Sequence, residues 1–156
     1  RAARCSYTYH HAAIDVLCPD DTPAEQLMVP EHNVASIAIP GGRRAFDTAR
    51  PVSLFYAQDR GNAEVFLPSL AGAIAVKAAA AVDERTKDSP RHLQDVAFLL
   101  TIDADLGQIG AELTDRDVGM LRELTGQFDD DRAQMWRHLD DAQRQFARAQ
   151  FDFLTQ

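Results

Sequence analysis

Apolar and polar residues follow two different rhythms along this chain. Up to about residue 67 they alternate or fall into short β-prone runs. Asn33 to Ile39 alternates, with Val34, Ser36 and Ala38 on one face and Ala35, Ile37 and Ile39 on the other. Val52 to Tyr56 and Val65 to Leu67 are short, apolar and rich in strand formers. Ala3 to His10 and Ala12 to Cys18 read as a pair of strands, closed by Pro19-Asp20-Asp21. Residues 21–32, with Pro23 and Pro30 as breakers, read as loop.

Beyond residue 67 the spacing becomes helical. Pro68 marks the start of a helix that runs to about Arg85, with Leu70, Ile74, Ala78 and Ala81 at helical intervals. Ser89-Pro90 opens a second helix, Ser89 being the expected N-cap and Leu93, Val96, Ala97 and Leu100 its core stripe. Beyond Asp95 that helix reads as apolar all round and therefore buried. Thr114-Asp115-Arg116-Asp117 resembles a capping box with Asp in place of Glu, followed by Val118, Leu121 and Phe128. A last helix is expected from about Asp131 to Phe153. Met135, Leu139, Ala142, Phe146, Ala149 and Phe153 step along it like a heptad seam. The predicted class is α+β: a small, mostly antiparallel sheet over 1–67, then a helical half over 68–156, in one compact unit.

Composition narrows the function classes. The chain has 156 residues, 16 of them Lys or Arg and 24 Asp or Glu, a net charge of −8. Most of the excess lies after residue 60. A global electrostatic grip on nucleic acid is therefore disfavoured, though a local basic pocket is compatible. No apolar run is long enough to cross a membrane, so no membrane partner is expected. Two cysteines, Cys5 and Cys18, match neither a disulfide framework nor a zinc spacing, and a reduced, cytoplasmic protein is the default.

Three ionisable residues stand in apolar surroundings. Asp15 interrupts the strand-like Ala12 to Cys18 and needs a partner if buried, either a metal ion or an arginine; its bland role is a structural ion pair or a place on an exposed sheet face. Lys77 falls in the apolar stripe of the first long helix, where it either snorkels outward or points into a site. Arg85 lies eight residues on, near the same stripe; two such cations suit a polyphosphate and equally suit Asp15 or Asp95. Asp95 sits at the mouth of the buried part of the next helix, and its bland role is a salt bridge to Lys77 or Arg85. Other motifs fall short. Asp103-Ala104-Asp105 has no later EF-hand ligands, Pro40-Gly41-Gly42-Arg43-Arg44 has no Lys-Ser/Thr of a phosphate loop, His10-His11 has no zinc partners, and Asp129-Asp130-Asp131 reads as a solvated helix start.

In order along the chain, these segments resemble the later part of AbiEii-type nucleotidyltransferases, the superfamily of abortive-infection and MenT-type toxins. Ile14-Asp15-Val16-Leu17 is similar to the third-carboxylate strand of the polymerase-β-like fold. Pro68 to Arg85 resembles the family's "K-x-x-A…R" helix. Arg91 to Leu100 resembles its "R-D-x-x-D-hydrophobic" helix, with Asp95 at the second Asp and His92 in place of the first. The resemblance covers roughly residues 1–100. It implies a partial nucleotidyltransferase fold and transfer of a nucleotide from NTP to an RNA (tRNA among them) or protein acceptor. It also implies Mg2+ on Asp15, Lys77 and Arg85 on the nucleotide, Asp95 orienting Lys77 or an acceptor group, and a bacterial antitoxin partner. The family's Gly-Ser and D-x-D strand is not among the 14 residues before Asp15, and Ala13 stands where a lysine is frequent. One carboxylate of three does not sustain two-metal catalysis. The expectation is thus a piece of a longer enzyme, or a degenerate relative, inactive alone. The rival readings are a catalytically silent interaction module on the same fold, with a homodimer through the last helix or a sheet edge, and an unrelated α+β domain.

Overall fold

In the computed structural model, which describes residues 6–9, 12–15, 17–23, 28–29, 34–35, 37–55, 62–83 and 89–156, the front of the chain forms short strand pairs. β1 (Ser6–Tyr9) and β2 (Ala12–Asp15) pair antiparallel, with Ser6 opposite Asp15. The predicted strand to Cys18 does not stay with this hairpin. Its later part, β3 (Leu17–Pro19), runs parallel to β6 (Ile37–Ile39). β4 (Met28–Val29) pairs antiparallel with β5 (Val34–Ala35), so part of the expected 21–32 loop is strand. Two residues per strand give no periodicity, and only pairing reveals them.

The Pro40-Gly41-Gly42 punctuation opens a helix. Gly41 takes φ +71°, a conformation that favours glycine, and α1 (Gly42–Asp47) follows. The backbone N–H groups of Gly41 and Arg43 donate to the Asp20 carboxylate at 3.3 and 3.2 Å. The phosphate-loop look of this segment is thus a helix start capped by the protein's own carboxylate. β7 (Arg50–Phe55) and β8 (Asn62–Leu67) form an antiparallel hairpin in the expected place. It is poorly covered: Phe55 and Phe66 are both largely exposed.

The helical half is built on α2 (Leu70–Val82), which Ser69 caps by accepting from the Gly72 N–H at 3.1 Å. The run Leu-Ala-Gly-Ala-Ile-Ala-Val-Lys-Ala-Ala-Ala-Ala-Val suits a helix enclosed on most sides, because small side chains let neighbours approach closely. Ala71, Gly72, Ile74, Ala75 and Ala78–Ala81 are buried. α2 touches α1, α3 (Ser89–Leu99), α4 (Leu106–Glu112) and α5 (Asp115–Glu123). Ser89 is the first helical residue rather than the N-cap; its hydroxyl donates back to the Ala81 carbonyl at 2.7 Å and ties α3 to the end of α2. Asp105 of the Asp-x-Asp segment is the N-cap of α4, accepting from Gln108 N–H at 3.1 Å.

The expected capping box is present. Asp117 accepts from both the backbone N–H and the hydroxyl of Thr114, and Thr114 accepts in turn from the Asp117 N–H. Asp117 is also 3.0 Å from the Arg44 Nε, with its side chain only 2 % exposed. The second guanidinium arm of Arg44 donates to the Glu112 carbonyl. One buried carboxylate therefore caps α5 and anchors α1 to the helical half.

The last helix departs most from expectation. After α6 (Thr125–Asp129) the chain turns through Asp130 and Asp131, forms a 3₁₀ helix (Gln134–His138), breaks at Leu139, and restarts as α7 (Asp141–Leu154). A second capping box, Asp140 with Gln143, forces the restart. Asp129-Asp130-Asp131 is consequently a helix end and turn, not a helix start: Asp129 closes α6 and Asp131 pairs with Arg148. The break splits the heptad-like seam. Met135 and Leu139 enter the core, whereas Phe146 and Phe153 are 40 % and 48 % exposed. α7 instead buries Ala147, Gln150, Phe151 and Leu154. Phe151 stacks on Phe128 at 3.9 Å, and Phe128 meets Trp136 edge-on at 5.3 Å.

The tightest approach in the fold generates a prediction. A Cβ at Gly72 would stand 1.9 Å from the Thr48 hydroxyl oxygen, which itself donates to the Arg44 carbonyl at 2.8 Å. Gly72→Ala is expected to cost about 2 kcal/mol in chemical denaturation through overpacking. Adding Thr48→Ala recovers part of the loss. An unchanged denaturation midpoint for Gly72→Ala would contradict the close α1–α2 contact.

Candidate functional site

α2 and α3 run antiparallel, since Ser89 meets Ala81 and Asp95 meets Lys77. Lys77 is the only charged residue within α2 and occupies its partly open side. Its Nζ donates to Asp95 Oδ2 at 2.6 Å, and the two side chains are 36 % and 35 % exposed. Of the partners that residue types alone allow, the pair is this one.

Beside the pair lies a cavity of about 200 Å³, lined by Gln94, Asp95 and Phe98 of α3 and by Met135, His138 and Leu139. Met135 and Leu139 make an apolar floor. Phe98 is a wall and is 58 % exposed, contrary to the expectation that α3 is apolar and buried all round after Asp95. The physical reason is that Val96, Ala97 and Leu100 already fill the contact with α2 and the core, and Phe98 faces away from them. Among the described residues, Asp95 Oδ1 has no hydrogen-bond partner, and Asp95 lies at the cavity rim. The cavity's lining, mostly apolar with a few polar groups at the edge, is that of a small-molecule site, in a recess smaller than most such sites.

The other expected site residues are placed less fully. Asp15 is the last residue of β2, opposite Ser6 in register; its side chain lies outside the described residues. Arg85 lies outside the described residues altogether, as do His10 and His11. Among the described residues no group of three or more His, Cys, Asp or Glu side chains is gathered to hold a metal ion. Asp95 already engages an ammonium group. The described side chains therefore do not by themselves fit a magnesium ion, and no chemical step is derived through one. Also among the described residues, no helix is long and apolar enough to cross a membrane.

Sequence reasoning missed the cavity, because the Met135–Leu139 floor comes from a segment read as continuous helix. Phe98 could have been found: it follows Asp95 by three residues and so shares its helix face. No family model matches the chain, and neither a curated protein nor a solved structure is similar to it.

A pair exposed by about a third is screened by solvent, so it contributes little to stability. Asp95→Asn and Lys77→Met are each expected to change unfolding free energy by less than about 1 kcal/mol. A loss several times larger in urea denaturation would make the pair a structural strut and not a site.

Proposed function

We propose that this chain is the later part of a nucleotidyltransferase-like protein of the toxin–antitoxin or abortive-infection type. The full-length protein transfers a nucleotide from NTP to an RNA or protein acceptor. The observation that carries this reading is the Lys77–Asp95 contact, because the two residues singled out on separate helices by the resemblance meet at 2.6 Å. A lysine ammonium is a compact point charge suited to a triphosphate. A carboxylate holding it from the adjacent helix fixes where that charge sits. On this reading Arg85 adds a second phosphate contact. Magnesium belongs with Asp15 and with carboxylates other than those of the described helices. An antitoxin partner and a cytoplasmic location go with the same reading.

Isothermal titration of the chain with ribonucleoside triphosphates and magnesium tests it. Binding is expected, with Lys77→Ala lowering affinity about tenfold, the equivalent of one lost charge-assisted hydrogen bond. Equal affinity in Lys77→Ala, or no binding at all by the wild type, would sink the proposal. Transfer of labelled nucleotide by residues 1–156 alone is expected to be negligible; robust transfer abolished by Asp15→Ala would contradict that part.

The second reading, a catalytically silent interaction module, is favoured by the exposed Phe55 and Phe66 of the β7–β8 hairpin and by Phe146 and Phe153 on α7. It predicts self-association in sedimentation equilibrium. Weakening by Phe66→Ser would place the contact on the hairpin, and weakening by Phe146→Glu on α7. A single 17.3 kDa species would rule the homodimer out.

A further inference from the structure

The side of α3 that borders the cavity changes chemistry along its length. Phe98 and Gln94 are one turn apart, Asp95 lies between them, and Arg91 is one turn before Asp95. Reading from Phe98 toward Arg91, the helix offers a flat aromatic ring, then an amide and a free carboxylate oxygen, then a cation. Lys77 adds its ammonium at the level of Asp95. Arg91 is exposed. The same order, flat base, hydroxyl-bearing ribose, phosphate, runs through a nucleotide.

We infer that the cavity beside Asp95 binds the nucleobase of the nucleotide whose phosphates reach Lys77, with Phe98 as the stacking platform. The inference rests on the nucleotidyltransferase reading and adds to it the residues that hold the base. The ribose between base and phosphates carries hydroxyl donors. Asp95 Oδ1, unpartnered among the described residues, accepts from a ribose hydroxyl, while Oδ2 stays with Lys77. The Gln94 amide supplies both a donor and an acceptor beside it. Met135 and Leu139 provide the apolar floor on which the ring rests. Asp95 thereby joins two parts of the ligand: one oxygen touches the ribose and the other fixes the ammonium that meets the phosphates.

The test measures affinities of each ribonucleoside triphosphate and of inorganic tripolyphosphate for the full chain and its variants. Phe98→Ala is expected to weaken the tightest-binding triphosphate by roughly tenfold, the cost of one lost base stack. Tripolyphosphate binding stays unchanged in the same variant, and Phe98→Trp retains nucleotide affinity. Because Phe98 is more than half exposed, neither change threatens folding. If Phe98→Ala leaves every triphosphate unaffected, or weakens tripolyphosphate equally, the base site is wrong while the phosphate role of Lys77 stands. If no triphosphate and no tripolyphosphate binds, both proposals fail. If a short oligoribonucleotide binds through Phe98 and the triphosphates do not, the cavity belongs to an acceptor strand and the inference is overturned.

Discussion

Close approach of backbones around α2 is the constraint on which the rest of this fold depends. Gly72 lets α1 come so near that even a methyl group would strike Thr48. Gly41, at the start of α1, sits against Val76 and Ala79 in the same way. Alanines on the remaining sides admit α3, α4 and α5. A helix packed this tightly on several sides gains from dispersion at every contact and loses little side-chain entropy, because alanine has none to lose. The run of four alanines at 78–81 is a packing solution.

Two ion pairs on this scaffold have different burdens. Arg44–Asp117 is buried on the carboxylate side and wired into a capping box, so removing Arg44 strands the Asp117 carboxylate in a place water does not reach. It belongs to the architecture. Lys77–Asp95 is open to water on one side and borders a cavity. Such a pair adds little to stability, and both groups remain available to a ligand. The contrast in burial, not in charge, separates the structural pair from the candidate site.

Much of the helical half was legible because its signals are local. Thr114 sits within three residues of the N–H it satisfies, and Leu70, Ile74, Ala78 and Ala81 keep helical spacing through α2, although its N-cap is Ser69, one residue beyond the Pro68 read as its start. The β7–β8 hairpin was legible for the same reason. Legibility ended where a partner is distant. Asp117 was read only as a cap, since Arg44 is 73 residues away and no spacing announces it. The parallel pairing of Leu17–Pro19 with Ile37–Ile39 is equally non-local. The final helix failed for another reason: the stepping from Met135 to Phe153 is continuous on paper, but the Asp140–Gln143 box starts a new helix and rotates the buried face to Ala147, Phe151 and Leu154. Of the candidate site, Lys77 and Asp95 were legible as charges out of place, and their contact fits the resemblance. The cavity was not, because its floor comes from the far side of that break.

The central claim is that Lys77 is held by Asp95 in a fixed position to meet phosphate. The chain has only two lysines, Lys77 and Lys87, so side-chain ammonium NMR resolves them individually. The account predicts a Lys77 Nζ resonance distinct from that of a free lysine, collapsed to the free value in Asp95→Asn, and moved by tripolyphosphate in the wild type. A Lys77 resonance that matches free lysine, ignores Asp95→Asn and does not respond to tripolyphosphate would contradict it.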